Sequence, residues 1–425
     1  MNISEIYQLY KKTYLVSTDT RKVTQNCLFF ALKGDNFNGN KFAIDALEKG
    51  ASYAIIDEKK YQTNKKLILV DDVLKTLQSL AAYHRKQLSI PIISLTGSNG
   101  KTTTKELINA VLSKKYQTTA TIGNLNNHIG VPLTLLSMTP KTEIGIVEMG
   151  ANHLKEIEFL CDIVQPDYGY ITNFGKAHLE GFGSLEGVIQ GKTELYQYLK
   201  KNKKTVFVNA NDVNQLDKSE GIKRIIFGDN NVDVHIELVS ANPFVRVQYD
   251  KSMIESKLIG AYNFNNIASA ITIGSYFGVN NTSIKEAIEN YLPTNNRSQI
   301  INKGPNKIIL DAYNANPSSM QVALESFSGL TDTNKIAILG DMFELGTEAK
   351  TEHQKIINLL ESLKIDKIYL LGNNFYTTKI KSNSIQSFKT FEDFKNFFSN
   401  EKLPNSTLLI KGSRGMALER VLDLL

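Results

Sequence analysis

Thr96-Gly97-Ser98-Asn99-Gly100-Lys101-Thr102-Thr103 follows an apolar, strand-like run, Ile90-Pro-Ile-Ile-Ser-Leu95, and opens a segment with Leu107, Ile108, Val111 and Leu112 at the spacing of one helix face. The order strand, glycine loop, helix is what a backbone needs to wrap a phosphate. Gly97 and Gly100 allow positive φ and close approach to a ligand, while unpaired N–H groups and a partial positive charge at the helix start favour an anion. Lys101 is then placed to reach the β- and γ-phosphates of a nucleotide, and the Thr102 hydroxyl to meet Mg²⁺. The strict pattern GxxxxGK[ST] is not met, because Leu95 stands where its first glycine belongs. The loop here is the tighter G-x-x-G-K-T.

Outward from this loop, the chain of 425 residues is long enough for two to four domains, each with its own core. A composition of 42% hydrophobic and 22% charged residues is that of an ordinary soluble globular protein. The net charge is +6, yet the lysines are dispersed, and the cluster Lys200-Lys201-Asn202-Lys203-Lys204 falls where a helix should end before Val206-Phe-Val. A solvated helix end accounts for it better than a nucleic-acid surface. Cys27 and Cys161, the only two cysteines, give neither a disulfide framework nor zinc-ligand spacing, which suits a reducing cytoplasm. MNISEIYQLYKKTY lacks a long apolar core and no later run approaches a membrane span, so no leader and no stable membrane insertion are expected.

The expected architecture is α/β with three domains. Residues 1–88 hold short strands at 28–32, 53–56 and 67–70 with helical patterns near 41–49 and 73–87. Residues 89–294 alternate strands (92–95, 144–147, 168–172, 206–208) with helices, the order of a parallel P-loop-type sheet whose phosphate ligands lie at the carboxyl edge. A β-rich insertion at 232–259 breaks that alternation before a helix at 263–277. Residues 295–425 alternate again, with strands at 308–310, 336–339, 368–371 and 408–410, and read as a second, Rossmann-like βαβ sheet.

A phosphate loop leaves the reaction open, so polar residues at other strand ends must decide it. Glu148 closes the strand Ile144-Gly-Ile-Val147 and is placed to hold magnesium directly or through water, or else to cap the next helix. His178, in Asn-Phe-Gly-Lys-Ala-His178-Leu-Glu-Gly-Phe-Gly183, reads by itself as a structural loop histidine more readily than as a ligand. Lys192 reads from spacing alone as a surface lysine on a helix; only as a CO₂-derived carbamate could it help to hold a cation. Asn263 and Asn266 open a helix, Arg297 lies at a domain junction, and Asp311-Ala-Tyr-Asn314-Ala-Asn316-Pro317 ends a strand. Such groups can read an adenine edge, counter phosphate charge or accept from ribose, and equally can cap helices and turns.

Taken in order, these residues resemble the Mur ligases of peptidoglycan synthesis, most closely the members that add D-alanyl-D-alanine. The resemblance covers nearly the whole chain. It rests on Thr18-Asp-Thr-Arg21, Leu28-Phe-Phe-Ala-Leu-Lys-Gly34 and Phe37-Asn-Gly39 in the first segment. In the centre it rests on the loop Thr96 to Thr103, Gly123-Asn124-Leu-Asn126-Asn127, Glu148-Met-Gly-Ala-Asn-His153 and Ala177-His178-Leu-Glu-Gly-Phe-Gly-Ser184. The last segment adds Asp311 to Pro317, Leu339-Gly-Asp341-Met-Phe-Glu344-Leu-Gly346 and Lys411-Gly-Ser413-Arg414. The Asp-Asn-Pro-Arg signature of relatives that add diaminopimelate or lysine is missing from the sequence.

The resemblance implies a ligase that joins D-alanyl-D-alanine to UDP-N-acetylmuramoyl-tripeptide through an acyl phosphate, with ATP as co-substrate. It implies that residues 1–88 bind the uridine nucleotide, 89–294 bind ATP, and 295–425 close over ATP and bind the dipeptide. By position, Lys101, Lys192, His178 and Arg297 are the implied catalytic set. Gly97, Ser98, Asn99, Gly100, Lys101, Thr102, Thr103, Asn263, Asn266, Arg297 and Asp311 are the implied ATP ligands. Thr102, Glu148, His178 and Lys192 as a carbamate are the implied Mg²⁺ set. Asp19, Thr20, Arg21, Asn126, Asn127, Asn314 and Asn316 are the implied substrate contacts. A cytoplasmic monomer with no nucleic-acid partner is expected. Two departures stand out: Tyr262 replaces a histidine common in relatives, and Lys155 a common glycine. Folylpolyglutamate synthetase shares a similar loop and lysine but should lack the uridine-type first domain and Gly340-Asp-Met-Phe-Glu-Leu-Gly346. A nucleotide-hydrolysing binding switch would want an Asn-Lys-x-Asp string, and none appears.

Overall fold

The computed structural model describes residues 1–399, 401, 403 and 405–425. Its centre is a nine-stranded sheet built around the fully buried strand Ile92–Thr96. That strand pairs in parallel with Ile144–Glu148 on one side and Tyr168–Ile171 on the other. From it the chain runs through the helix Lys101–Leu112 to the edge strand Thr118–Ala120 and back to Ile144–Glu148. It then crosses over to lay down Tyr168–Ile171, Thr205–Asn209 and Lys223–Gly228 on the opposite side. The winding therefore reverses at Ile92–Thr96. A crevice must open at the carboxyl end of such a strand, because the connections on its two sides lead away from each other.

The β-rich stretch near 232–259 is not a separate unit. Val234–Ser240 pairs in parallel with Lys223–Gly228, and Phe244–Tyr249 and Ser252–Ile259 continue the same sheet antiparallel. Ile254, Ser256 and Leu258 are buried while Glu255 and Lys257 are exposed, the alternation of a sheet that covers a core on one face only.

On one face, Leu107, Ile108, Val111 and Leu112 pack with Ile267 and Ile271 of the helix Phe264–Tyr276 against Ile93, Leu95 and Tyr170. Removing one fully buried leucine such as Leu107 costs about 2–5 kcal/mol. The other face is covered by Val73–Gln87, Glu156–Val164 and Leu185–Lys201. The first of these helices also ends the N-terminal unit, a parallel sheet ordered Val16–Ser17, Leu28–Phe30, Tyr53–Ile56, Leu67–Leu69. Arg85 fixes that helix to the central sheet: its Nη2 lies 2.7 Å from Asp167 Oδ2 and its Nε donates to the Val164 carbonyl at 2.9 Å.

The C-terminal sheet has six strands. Gln299–Lys303 is an antiparallel edge on Asn306–Asp311, and Thr407–Lys411 lies between Asn306–Asp311 and Lys335–Gly340. Lys367–Leu371 and Ile385–Phe388 complete it in parallel. Among the described residues, no helix is long and apolar enough to cross a membrane.

Candidate active site

The crevice at the reversal point is a cavity of about 820 Å³, lined by the glycine loop, the ends of the two neighbouring central strands and the carboxyl ends of two C-terminal strands. The loop takes its shape from its glycines. At Gly97, with φ +142°, a Cβ would stand 2.0 Å from Thr172 Oγ1; at Gly100, with φ +79°, it would stand 2.6 Å from Asn266 Oδ1. Neighbours hold the loop in place. Ser98 Oγ donates to the Gly175 carbonyl at 2.8 Å, the Asn99 amide to Asn173 Oδ1 at 3.1 Å, and Thr172 Oγ1 to the Asn99 carbonyl at 2.6 Å. From the C-terminal sheet, Asn316 Nδ2 donates to Asn99 Oδ1 at 2.7 Å.

Lys101, first residue of the helix, folds its ammonium onto the Gly97 carbonyl at 2.7 Å and the Ser98 carbonyl at 3.3 Å. Burial pushes its pKa down, Arg297 acts the same way, and Glu148 opposes them, so the three charged groups sense one another across the cavity. Arg297 sits over Tyr313, 3.6 Å from guanidinium carbon to ring centre, and its buried Nε has no partner. Glu148, 1% exposed, receives Asn126 Nδ2 on Oε1 at 2.7 Å, while its Oε2 is buried with no partner. A lone buried carboxylate oxygen beside Thr102 and the phosphate loop fits a divalent cation. Among the described residues no three His, Cys, Asp or Glu side chains converge as a cage.

His178 lines the cavity in a left-handed conformation, φ +53°, with Nδ1 2.5 Å from Glu344 Oε2 of the C-terminal lobe, a close charged contact in which the ring is not turned to make an aligned hydrogen bond. Lys192 corrects the surface reading. It is 1% exposed, just behind the cavity wall, with Nζ donating to the Ala151 carbonyl at 3.0 Å and 5.1 Å above the Phe182 ring. Its pKa is driven well below the ordinary lysine value by burial and then by Lys101. Val188, Lys192, Leu195 and Leu199 share the buried stripe of the helix Leu185–Lys201, so the 3.6-residue period carried this signal.

Other residues are already engaged within the protein. Asn263 Nδ2 donates to the Ile259 carbonyl, Asn266 Nδ2 to Asn263 Oδ1, and Asn266 Oδ1 accepts from Thr104 Oγ1. These amides brace Gly100 from behind. Asp311 meets Lys411 Nζ at 2.6 Å and accepts from the Ser298 amide at 3.1 Å. Asn127 Oδ1 accepts from the Ile129 and Gly130 amides, and Asn314 Oδ1 from the Ala315 amide at 2.9 Å, although both residues line the cavity. Thr103 also lines it. Asp19, Thr20 and Arg21 are outside the lining: Arg21 Nη2 is paired with Asp19 Oδ2 at 2.8 Å, a contact that holds the Asp19 carboxyl down at about 2. Tyr262 reaches Ser298, with the two hydroxyl oxygens 3.0 Å apart.

Sequence reading assigned no role to Glu194, Glu344, Tyr313 or Ser318. Glu194 caps the helix Glu156–Val164, accepting from the Lys155 amide at 2.6 Å and the Glu158 amide at 2.9 Å. Lys155 itself has φ +71°, which is why glycine suits that position.

A phosphate loop at a sheet reversal, a waiting buried carboxylate and a C-terminal lobe bonded to the loop define a nucleotide-dependent enzyme of the phosphate-loop class. Three family models match in order: Mur ligase family, catalytic domain, over 12–85; Mur ligase middle domain over 95–274; and Mur ligase, glutamate ligase domain, over 296–414. The UDP-N-acetylmuramoyl-tripeptide–D-alanyl-D-alanine ligase of Bacillus subtilis is 33% identical, across 97% of this chain and 93% of that protein. The crystal structure of MurF from Acinetobacter baumannii superposes with a TM-score of 0.85 at 29% identity, over 96% of this chain and 92% of that one. MurF ligase from Thermotoga maritima, solved with ADP, gives 0.83 at 27% identity, over 96% of each chain. The chain belongs to the Mur ligase family, has its three-domain fold, and is an ATP-dependent ligase.

Proposed function

We propose that this protein joins D-alanyl-D-alanine to the terminal carboxyl of UDP-N-acetylmuramoyl-tripeptide, giving the pentapeptide nucleotide, ADP and phosphate. The observation that carries the reading is the shared cavity: phosphate loop, Glu148 and the Asn314–Asn316 turn of the C-terminal lobe line one space. It occurs in a chain alike, end to end, to a ligase of that name.

The tripeptide carboxylate oxygen attacks the γ-phosphorus, the bond to the β-phosphate oxygen breaks, and ADP leaves. The acyl phosphate is then attacked at its carbonyl carbon by the dipeptide amine. The tetrahedral adduct loses a proton and expels phosphate, leaving an amide. Two anions must meet in the first step, so fixed cationic and N–H groups matter more than any covalent help from the protein. Lys101 leaves the Gly97 and Ser98 carbonyls for the β- and γ-phosphate oxygens. Arg297, held over the Tyr313 ring with a free N–H, meets the charge growing on the transferred group. The amides of Gly100, Lys101 and Thr102 at the helix start hold the phosphates from behind, and the C-terminal lobe keeps water from the acyl phosphate.

Thr102, Glu148, His178 and Lys192 as a carbamate are the groups that would hold Mg²⁺, which supplies neutralisation of phosphate charge. Lys192 suits the modification because burial favours its neutral amine: the amine nitrogen bonds the carbon of CO₂ and releases one proton. Residues 1–88 bind the uridine nucleotide, through Asp19, Thr20 and Arg21 once the Asp19–Arg21 pairing is exchanged for substrate. Residues 89–294 bind ATP, and 295–425 close over it and bind the dipeptide. Asn126, Asn127, Asn314 and Asn316 face the peptide ends, while Asn263, Asn266 and Asp311 support the nucleoside. The protein acts as a monomer, and two buried free cysteines suit the cytoplasm.

Incubation with ATP, Mg²⁺, the tripeptide nucleotide and a panel of D-amino-acid dipeptides tests this. Mass spectrometry should show the nucleotide extended by D-alanyl-D-alanine; no extension with any dipeptide refutes it.

A further inference from the structure

The motif Gly340-Asp341-Met342-Phe343-Glu344-Leu345-Gly346 has no part in the chemistry above, yet the structure braces it with unusual completeness. Asp341 accepts from the Asn374 and Phe375 amides at 2.9 Å each. The Met342 amide donates to His353 Nε2 at 3.0 Å and the Phe343 amide to Ser413 Oγ at 2.9 Å. What this brace presents is Glu344, with φ +61°, against His178, with φ +53°. Both are non-glycine residues in the left-handed region, a conformation that persists only where surroundings over-determine it.

The segment 172–180 carrying His178 is bonded on two sides. Toward the phosphate loop it engages Ser98 and Asn99. Toward the C-terminal lobe, the Lys176 amide donates to Ser318 Oγ at 2.8 Å, Lys176 Nζ meets Glu352 Oε1 at 2.8 Å, and the Glu180 amide donates to the Glu344 carbonyl at 3.1 Å. The imidazole therefore sits at the seam, with its Nδ1 against a carboxylate from the opposite lobe.

We infer that Glu344 is a positioning residue for His178: docking of the C-terminal lobe brings its carboxylate to Nδ1 and thereby fixes the orientation of the imidazole and leaves the lone pair on Nε2. This rests on the proposed role of His178 toward a metal. A carboxylate on one ring nitrogen sets the tautomer and ring angle of a metal-binding histidine, and its loss typically costs 10–100-fold in affinity or activity, on the order seen for such outer partners. Here that partner comes from a different lobe, so a His178 able to bind is itself a product of docking.

The test uses the full-length protein with ADP, Mn²⁺ as the probe ion, and electron paramagnetic resonance to count free Mn²⁺. Glu344→Ala should weaken Mn²⁺ binding by about 10–100-fold and lower kcat in proportion, with KM for the tripeptide nucleotide within about twofold. Glu344→Gln keeps an acceptor oxygen for Nδ1–H and should recover part of both losses; it also carries the test if the alanine variant unfolds. In a His178→Ala background, Glu344→Ala should add nothing. If His178→Ala weakens Mn²⁺ binding and neither Glu344 variant does, the inference is overturned while the role of His178 stands. If no variant alters Mn²⁺ binding, both are overturned.

Discussion

Asn99 in the phosphate loop accepts, on Oδ1, a 2.7 Å hydrogen bond from Nδ2 of Asn316, which lies 217 residues later at the start of a C-terminal helix. The phosphate loop is thus bonded directly to the C-terminal lobe. Asn316 also caps its own helix through Oδ1, receiving the Ser319 amide at 2.9 Å. Replacing it by alanine would remove both bonds, whereas Asn316→Asp keeps the cap, loses the donor to Asn99 and sets a carboxylate oxygen against Asn99 Oδ1 beside the phosphate loop. That variant should retain its melting temperature and raise KM for ATP by at least about 2–13-fold, the worth of one net hydrogen bond, with the new charge adding to the loss. Steady-state kinetics at saturating tripeptide decide it; an unchanged KM would mean the bond does not support nucleotide binding.

Gly97 has no room for a side chain. A Cβ there would stand 2.0 Å from Thr172 Oγ1, at a φ of +142° that L-residues rarely adopt. Gly97→Ala should abolish ADP binding in calorimetry, a weakening above about 10²-fold, while circular dichroism stays native because the strain is confined to the loop. Binding within threefold of the parent would contradict the account of the loop.

Much of this was written in the sequence. The buried parallel strands Ile92–Thr96, Ile144–Glu148 and Thr407–Lys411 are near-continuous apolar runs, and such runs are legible because both faces of the strand are covered. Thr118–Ala120 and Gln299–Lys303 carry no strand signal in the sequence: each is short, partly exposed and at a sheet edge, so neither run is apolar throughout. In the site, Lys101 and Glu148 were legible because strand ends and glycine loops place them. Asn263 and Asn266 read as nucleotide contacts in the sequence, and in the fold their amides also brace the turn behind Gly100, because an asparagine's type does not say which polar groups it will meet. Glu344 acts through a contact between lobes, for which no local pattern exists.

His84 and His353 make stability depend on pH. His353 is fully buried, donates from Nδ1 to the Ala349 carbonyl at 2.7 Å and accepts on Nε2 from the Met342 amide at 3.0 Å, a set only the neutral ring can make. His84, among Tyr7, Tyr10 and Tyr14, faces the Met138 carbonyl at 2.9 Å and the Tyr7 hydroxyl at 3.3 Å. Burial pushes both pKa values below 6.5. The unfolded rings therefore bind protons that the folded ones refuse. Stability from this source is full above about pH 6.5 and declines as pH falls toward the folded values, by up to about 1.4 kcal/mol per pH unit for each ring. Melting temperatures should drop between pH 7.5 and 5.5, and less so in His353→Gln; no drop would show that the rings protonate without cost.

Lys101→Ala should lower kcat by at least roughly 10²-fold, the scale for one preorganised electrostatic contact. Lys192→Ala should be similarly impaired but partly restored by added formate or acetate, which return the lost anionic group. Unchanged kcat in the first variant would remove Lys101 from the mechanism, and a Lys192→Ala enzyme fully active without added acid would remove the carbamate.

The central claim is that the peptide carboxyl is phosphorylated before the amine arrives, and an isotope follows that oxygen directly. With both oxygens of the tripeptide carboxylate labelled as ¹⁸O, the released phosphate should carry a single ¹⁸O and the new amide should keep the other. Phosphate free of label, alongside formed pentapeptide nucleotide, would contradict it.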